Sequence, residues 1–330
     1  ICDPETGERL EDISVFNVAT NKKMLEKGYL NSSFNILDEI DLMNSRTNQI
    51  NVRTKVGLDF TILEGLKASV DYQYERTNGE TKNIQSQDSY NVRTGIINPL
   101  TMEENGELVY YLPKGDVLDM TETNGTTHSL KIGASLNRVF GKEGEHYVNA
   151  VAGFDLRKHT NQTNTSRKLG YNDALQSWQT FDQVALASWH IWWNGDYQSY
   201  DAANYDSFKF NDTREVSYYG SLIYTYDRRY SLSGTFRVDE SNLFGADKKY
   251  RRNPLWSVGV SWNIQEEDFF HSNVINRLTP RITYGLTGNF DRSGSSTPLL
   301  VGSRNFSNTT KEYYVRVSTP PNDKLRWERT

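Results

Sequence analysis

Few residues in this chain are spaced for catalysis. Its five histidines, His128, His146, His159, His190 and His271, form no HExxH pair that would hold a zinc ion, and no GxSxG segment offers a nucleophile elbow. Glu266, Glu267 and Asp268 are consecutive, whereas a glycosidase pair must flank a bond from two sides. "GLTGN" at 285–289 lacks the strand, GxGxxG and helix setting of a nucleotide loop. The Asp and Asn residues of "NGDYQSYDAANYD" at 194–206 are calcium-type oxygen ligands without EF-hand spacing. Cys2 is alone, which excludes an internal disulfide framework, and no Cys/His spacing resembles a zinc site. No catalytic group, metal ligand or cofactor is assigned. What remains is contact chemistry, concentrated in "LQSWQTFDQVALASWHIWWNGDYQSYDAANY" at 175–205. There Trp189, Trp192, Trp193, Tyr197 and Tyr200 offer flat, amphipathic surfaces that bury the apolar faces of neutral polar ligands at low entropy cost. The same rings serve equally well to staple the loop to itself, to a rim or to a partner protein.

The elements that must present this loop are strands. The chain has 330 residues, 36% hydrophobic and 12% aromatic, with 20 Tyr and 7 Trp. Many aromatics and little aliphatic bulk favour strands over helices. The even positions from Ile50 to Ile62 read Ile, Val, Thr, Val, Leu, Phe, Ile, and polar residues or glycine fill the odd ones, so the period is two. After Glu64 and Gly65 the alternation resumes through Leu66, Ala68, Val70, Tyr72 and Tyr74. Comparable segments run over 130–139, 147–156, 216–226, 230–238, 256–264, 278–286 and 313–317, with no helical domain between them. Short links at 64–65, 140–146, 227–229 and 265–277 alternate with long polar ones at about 77–128, 158–214, 240–254 and 288–311, and the stretches 77–128 and 158–214 have room for extra short strands.

That order predicts an all-β, antiparallel, up-and-down transmembrane β-barrel. A soluble antiparallel sandwich also alternates, but these strands of about 10 to 13 residues exceed the usual ~5 to 6, and Tyr224, Tyr226 and Tyr230 flank the turn at 227–229 as an interfacial girdle would. Mean hydropathy is -0.71 and no stretch reaches the ~18 to 20 apolar residues of a membrane helix, a test blind to barrel strands. Net charge is -5 with the basic residues dispersed, so nucleic acid is discounted as a partner. In the hairpin "SLIYTYDRRYSLSGTFRVDESNLFG" at 221–245 and the residues just before it, Tyr218, Leu222, Tyr224, Leu232, Phe236 and Val238 are expected to face lipid. Ser217, Ser221, Ser231, Ser233, Thr235, Arg237 and Asp239 are expected to face a wet lumen.

Four segments carry a resemblance. "RRYSLSGTFRVDESNLFG" at 228–245 is similar to the RY, strand, RxDGSSRFG stretch of SusC/RagA-type TonB-dependent transporters. "LWSVGVSWNIQEEDFF" at 255–270, "RITYGLTGN" at 281–289 and "PPNDKLRWERT" at 320–330 resemble further motifs of that family in order and spacing, and "NSRTNQINVRTKVGLDFTILEGL" at 44–66 fits a looser one. The family's DGSS is replaced by Asp239, Glu240, Ser241 and Asn242, so that turn is expected to differ. The resemblance implies a central part, 1–330, of a barrel with roughly 22 strands, with the plug domain and the closing strands outside it. It also implies the Bacteroidota-type outer membrane and its lipid, a SusD-like surface lipoprotein as lid, and energy from the TonB complex through the plug. The implied activity is import of an oligosaccharide, or of an oligopeptide as in RagA-type members, without catalysis. A secreted β-rich carbohydrate-active hydrolase or binding module is the rival from another class.

Overall fold

The computed structural model describes residues 2–11, 17–182, 189–190, 197–198, 205–242, 252–272, 274–289, 299–306, 309–319 and 328–329. The main element is an eight-stranded sheet whose strands Met43–Leu63, Leu66–Gln85, Asp116–Phe140, His146–Tyr171, Ser207–Tyr226, Tyr230–Ser241, Asn253–Trp262 and Arg281–Leu286 neighbour one another in chain order. Among the described residues the sheet is open, with Met43–Leu63 and Arg281–Leu286 as its edges. Contacts between neighbouring strands pair residue numbers that rise on one side and fall on the other, as in Arg53 with Glu75 and Lys55 with Asp71, so the pairs are antiparallel. Successive connections therefore fall at alternate ends of the strands.

Two turns show how the sequence closes the hairpins. Gly65 has φ 81°, and a Cβ on it would run into the backbone carbonyl of Asn137, so only glycine fits there. Asp227 and Arg228 have φ 48° and 54°, the two left-handed residues that a type I′ turn needs to match strand twist. The Arg229 N–H closes that turn on the Tyr226 carbonyl at 3.0 Å.

The strands are longer than expected. Residues 77–85, 116–128, 158–171 and 207–214 are strand rather than loop. The reason is that hydropathic alternation stops there while pairing continues. Thr47 and Thr81 share a hydroxyl hydrogen bond at 3.0 Å, Asn51 donates to Thr77 at 2.9 Å, and Thr121 meets Thr165 at 3.5 Å. Such polar, partly β-branched pairs support a ladder without any apolar face. At the other margin, Ile264 lies in a 3-10 turn, Ile264–Glu266, and the last strand starts at Arg281, after Pro280. Leu299–Phe306, within the expected loop at 288–311, pairs with Tyr313–Thr319.

The chain divides into two compact units. The first comprises Ile1–Asn51, Thr77–Gly125 and Asn161–Phe210, and it contains helices that the strand reading missed, Val18–Glu26 and Ile36–Asp41, capped by the side chains of Asn17 and Asn35. A π-helix, Asn91–Ile97, leads into Asn98–Leu100 and the hairpin Thr101–Glu104 with Glu107–Tyr110. Val92, Ile96, Ile97, Leu100, Leu112, Val117 and Leu169 form their core. The Asn98 side chain brackets Leu30, accepting its N–H at 3.0 Å and donating to its carbonyl at 2.8 Å. Burial, and then the nearby Glu103 charge, push the Tyr29 hydroxyl up to about 12. The second unit, Val52–Arg76, Thr126–Thr160 and Asn211–Thr330, holds the apolar and charged faces described next.

Candidate functional site

In the second unit one sheet face is apolar. Register sets Leu232 against Tyr224 and Val260, Phe236 against Trp256, and Val258 against Tyr284. Ala134, Ala150, Ala152, Leu222, Phe236 and Val258 share this surface, and its large side chains are half exposed, Leu222 at 45% and Phe236 at 52%. Each end of the band carries rings. At one end Tyr72 and Tyr74 gather around His128, with 2.7 Å from the Tyr72 hydroxyl to the imidazole, and Phe154 lies 5.0 Å from Tyr218. At the other, His146 stacks on Phe140 and bonds the Tyr224 hydroxyl at 2.8 Å, and Tyr230 stacks on Trp262. Eight residues separate Tyr218 from Tyr226 and His146 from Phe154, roughly 26 Å along the strand at 3.3 Å per residue and about 20 Å across the band at the usual ~35–45° tilt, against the ~25 Å apolar band of an outer-membrane barrel.

The opposite face of the same strands is charged. Arg53 pairs with Glu75 at 3.0 Å, Lys55 with Asp71 at 3.0 Å, and Arg237 with Asp239 at 2.8 Å. Looser pairs join Lys131 to Asp155 at 4.0 Å and Arg157 to Glu215 at 3.9 Å. All of these except Asp239 line one concavity with Gln73, Thr127 and Ser129. The Tyr219 ring lies over Gly153, where any Cβ would collide with it, and Arg237 sits 5.9 Å above that ring. Five carboxylates each facing a cation make a mixed-charge wall, and one oxygen of Asp155 is buried without a hydrogen bond. The alternation over 50–62 puts Arg53 and Lys55 on the polar side but does not show what they pair with. The signal was available, because a turn at Glu64 and Gly65 sets basic residues opposite acidic ones.

Asn242 follows the last residue of the strand Tyr230–Ser241. Its side chain accepts the Arg214 N–H at 2.8 Å and donates to the Asp212 carbonyl at 2.7 Å, ending the strand by side-chain capping.

At the short-turn end Glu267 is a hub. It accepts the Tyr230 hydroxyl at 2.6 Å and the Trp262 indole N–H at 2.8 Å, and it pairs with Arg229 at 3.1 Å. These hold its carboxyl below the usual carboxylate range, Tyr230 contributing most, then Trp262, against a smaller desolvation effect. A carboxyl with a depressed folded pKa contributes stability in full above its unfolded pKa of about 4.3 and loses it as pH falls through the lower folded value. Urea resistance of the wild type is therefore expected to exceed that of Glu267→Gln at about pH 7, and the gap to close below about pH 4. A gap unchanged down to about pH 3 would remove this role of the carboxylate charge.

Of the expected ligand-contact residues, Trp189 and Tyr197 lie on a two-residue ladder that pairs Trp189 with Gln198 and His190 with Tyr197. Trp192, Trp193 and Tyr200, and most of the stretch 194–206, lie outside the described residues.

The TonB-dependent receptor SusC of Bacteroides thetaiotaomicron is 33% identical to this chain over 121 residues, covering 35% of the chain and 12% of the receptor. TonB-dependent receptor P26 of Formosa agariphila is 33% identical over 117 residues, again covering 35% and 12%. The solved RagAB peptide transporter superposes with a TM-score of 0.64 at 16% identity, over 88% of this chain and 28% of that one. Over about a third of its length this chain is similar in sequence to SusC-type TonB-dependent receptors, and in fold it is similar to the RagAB transporter. It matches only about an eighth of the length of these curated relatives, and no protein-family model matches it. The SusC/RagA-type likeness makes the open sheet a section of barrel wall, and no helix among the described residues is long and apolar enough to cross a membrane.

Proposed function

We propose that this chain forms part of the wall of an outer-membrane, TonB-dependent importer of an oligosaccharide, with a SusD-like lipoprotein as lid. The single observation that carries the membrane reading is the two-faced sheet, apolar and ringed on one side, charged on the other. A closed barrel satisfies every backbone N–H and C=O in lipid, which an open sheet cannot do. Support for a sugar comes from the neutral ladder of Thr47, Thr81, Asn51 and Thr77 in the first unit. Neutral donors and acceptors suit hydroxyls better than charged termini. Trp189, Trp192, Trp193, Tyr197 and Tyr200 are proposed to stack on the sugar faces. A peptide is the second reading, favoured by the likeness to the RagAB peptide importer.

Replacing Trp189, Trp192 and Trp193 together with Ala in the full-length transporter is expected to weaken ligand binding while barrel assembly persists, because loop tips tolerate change better than packed strands. Calorimetry with a panel of oligosaccharides and oligopeptides, with and without the lid protein, separates the readings. Unchanged affinity in both settings removes these residues from the site, and binding of peptides alone rejects the sugar. Orientation is checked by cysteine labelling of intact cells. A label should reach Glu107→Cys in the hairpin at 101–110 and not Glu143→Cys in the turn at 141–145; outside labelling of position 143 would invert the topology.

A further inference from the structure

The connections at 64–65, 141–145 and 227–229 are short and polar, as expected for turns in water. The connection at 263–280 differs. It exposes Phe269 at 67%, Val274 at 89%, Ile275 at 48% and Leu278 at 41%. Scattered single apolar residues on a surface are ordinary, but four on one connection are not. We propose that this connection lies in the membrane–water interface of the leaflet at the short-turn end, its apolar side chains inserted among lipid headgroups. The proposal rests on the reading that the ringed apolar face meets lipid.

Three features choose lipid over a protein partner. The Phe269 ring meets Trp262 edge-on at 6.3 Å, and Trp262 stacks on Tyr230 at 6.3 Å, so the connection continues the ring girdle of the apolar face. The girdle's polar tips, the Tyr230 hydroxyl and the Trp262 indole N–H, both end on Glu267, the amphipathic arrangement that suits headgroup depth. Arg277 is exposed beside Ile275 and Leu278, placed to meet a lipid phosphate while apolar neighbours insert.

The connection is also held in place rather than left to find its own position. The Ile264 N–H donates to the Leu278 carbonyl at 3.0 Å, and the Leu278 N–H donates to the Gln265 side chain at 3.1 Å. The Ser272 hydroxyl accepts the N–H groups of Val274 and Ile275 at 3.2 and 2.9 Å. Asn263 anchors the stem by donating to the Arg228 carbonyl at 2.6 Å. The ordering entropy of an inserting loop is thus largely met before it touches lipid, which favours insertion.

The test uses full-length transporter carrying one reactive cysteine, at Val274→Cys, Leu222→Cys or Glu143→Cys, with Cys2 replaced by Ser. Each is labelled with an environment-sensitive fluorophore and reconstituted in phosphatidylethanolamine–phosphatidylglycerol vesicles containing lipid with a nitroxide near the carbonyl end of its acyl chain. Lipid quenching at Val274 and Leu222 at least about twofold stronger than at Glu143 is the expected result. Quenching at Leu222 but not Val274, with Val274 open to aqueous iodide, overturns the interfacial placement and leaves the barrel reading standing. Quenching at neither position overturns both.

Discussion

Arginine at Leu222 is expected to block accumulation of assembled barrel, and arginine at Ser221 to leave it nearly unchanged. The two residues are adjacent, yet they belong to opposite faces. Leu222 lies opposite Gly234 on the apolar face, and Ser221 lies opposite Thr235 on the polar one. On its strand Leu222 sits midway between Tyr218 and Tyr226, about 13 Å of strand from each, so a charge there reaches the depth at which a lipid-facing Arg costs ~2 to 4 kcal/mol. Phe236 pairs with Gly220, two residues from Tyr218, so Phe236→Arg is shallower and should impair assembly less. At Thr235, whose hydroxyl meets Ser257 at 2.6 Å, an Arg would find water and the neighbouring charge ladder. Heat-modifiable band shift on gels of outer membranes measures all four variants. Equal tolerance at the four positions would return the soluble sandwich to consideration.

Truncating Leu100 to Ala is expected to loosen the helical module of the first unit without affecting the apolar band. Leu100 is fully buried among Val92, Ile96, Ile97 and Leu112. A cavity there should cost roughly 2 to 5 kcal/mol, because a core held at several points collapses only partly around the missing atoms. The polar ties that remain, Lys27 to Glu103 at 2.8 Å and Arg93 to the carbonyls of Asn31 and Ser33 at 2.6 and 2.9 Å, hold the chain path but supply little free energy where exposed. Amide exchange across residues 86–115 should accelerate by more than tenfold, and band shift on gels should match the wild type. Unchanged exchange would mean that Leu100 is not what holds the module together.

The alternating residues of 50–62 and 216–238 determine, by themselves, that these strands have one apolar face, and the turn at Asp227 and Arg228 determines where they reverse. That much is local: period and turn chemistry act within a few residues. The motifs at 228–245, 255–270 and 281–289 also carry the SusC/RagA-type likeness without any coordinates. Strand length beyond Glu75 was not legible, because Thr, Asn and Gly on both faces erase the alternation while cross-strand partners such as Thr77 and Asn51 keep the ladder paired. The helices at 18–26 and 36–41 were hidden for a related reason. Their formation depends on Tyr29, Leu30 and Glu39 meeting Thr101, Asn98 and Tyr90 far along the chain, and short helices gain most of their stability from such packing rather than from propensity. The charge ladder needed register as well as pattern. Arg53 and Glu75 read as two solvated ions until the hairpin sets them 3.0 Å apart, and only tertiary structure brings together groups so distant in sequence, since each pair must first repay the entropy of closing its loop.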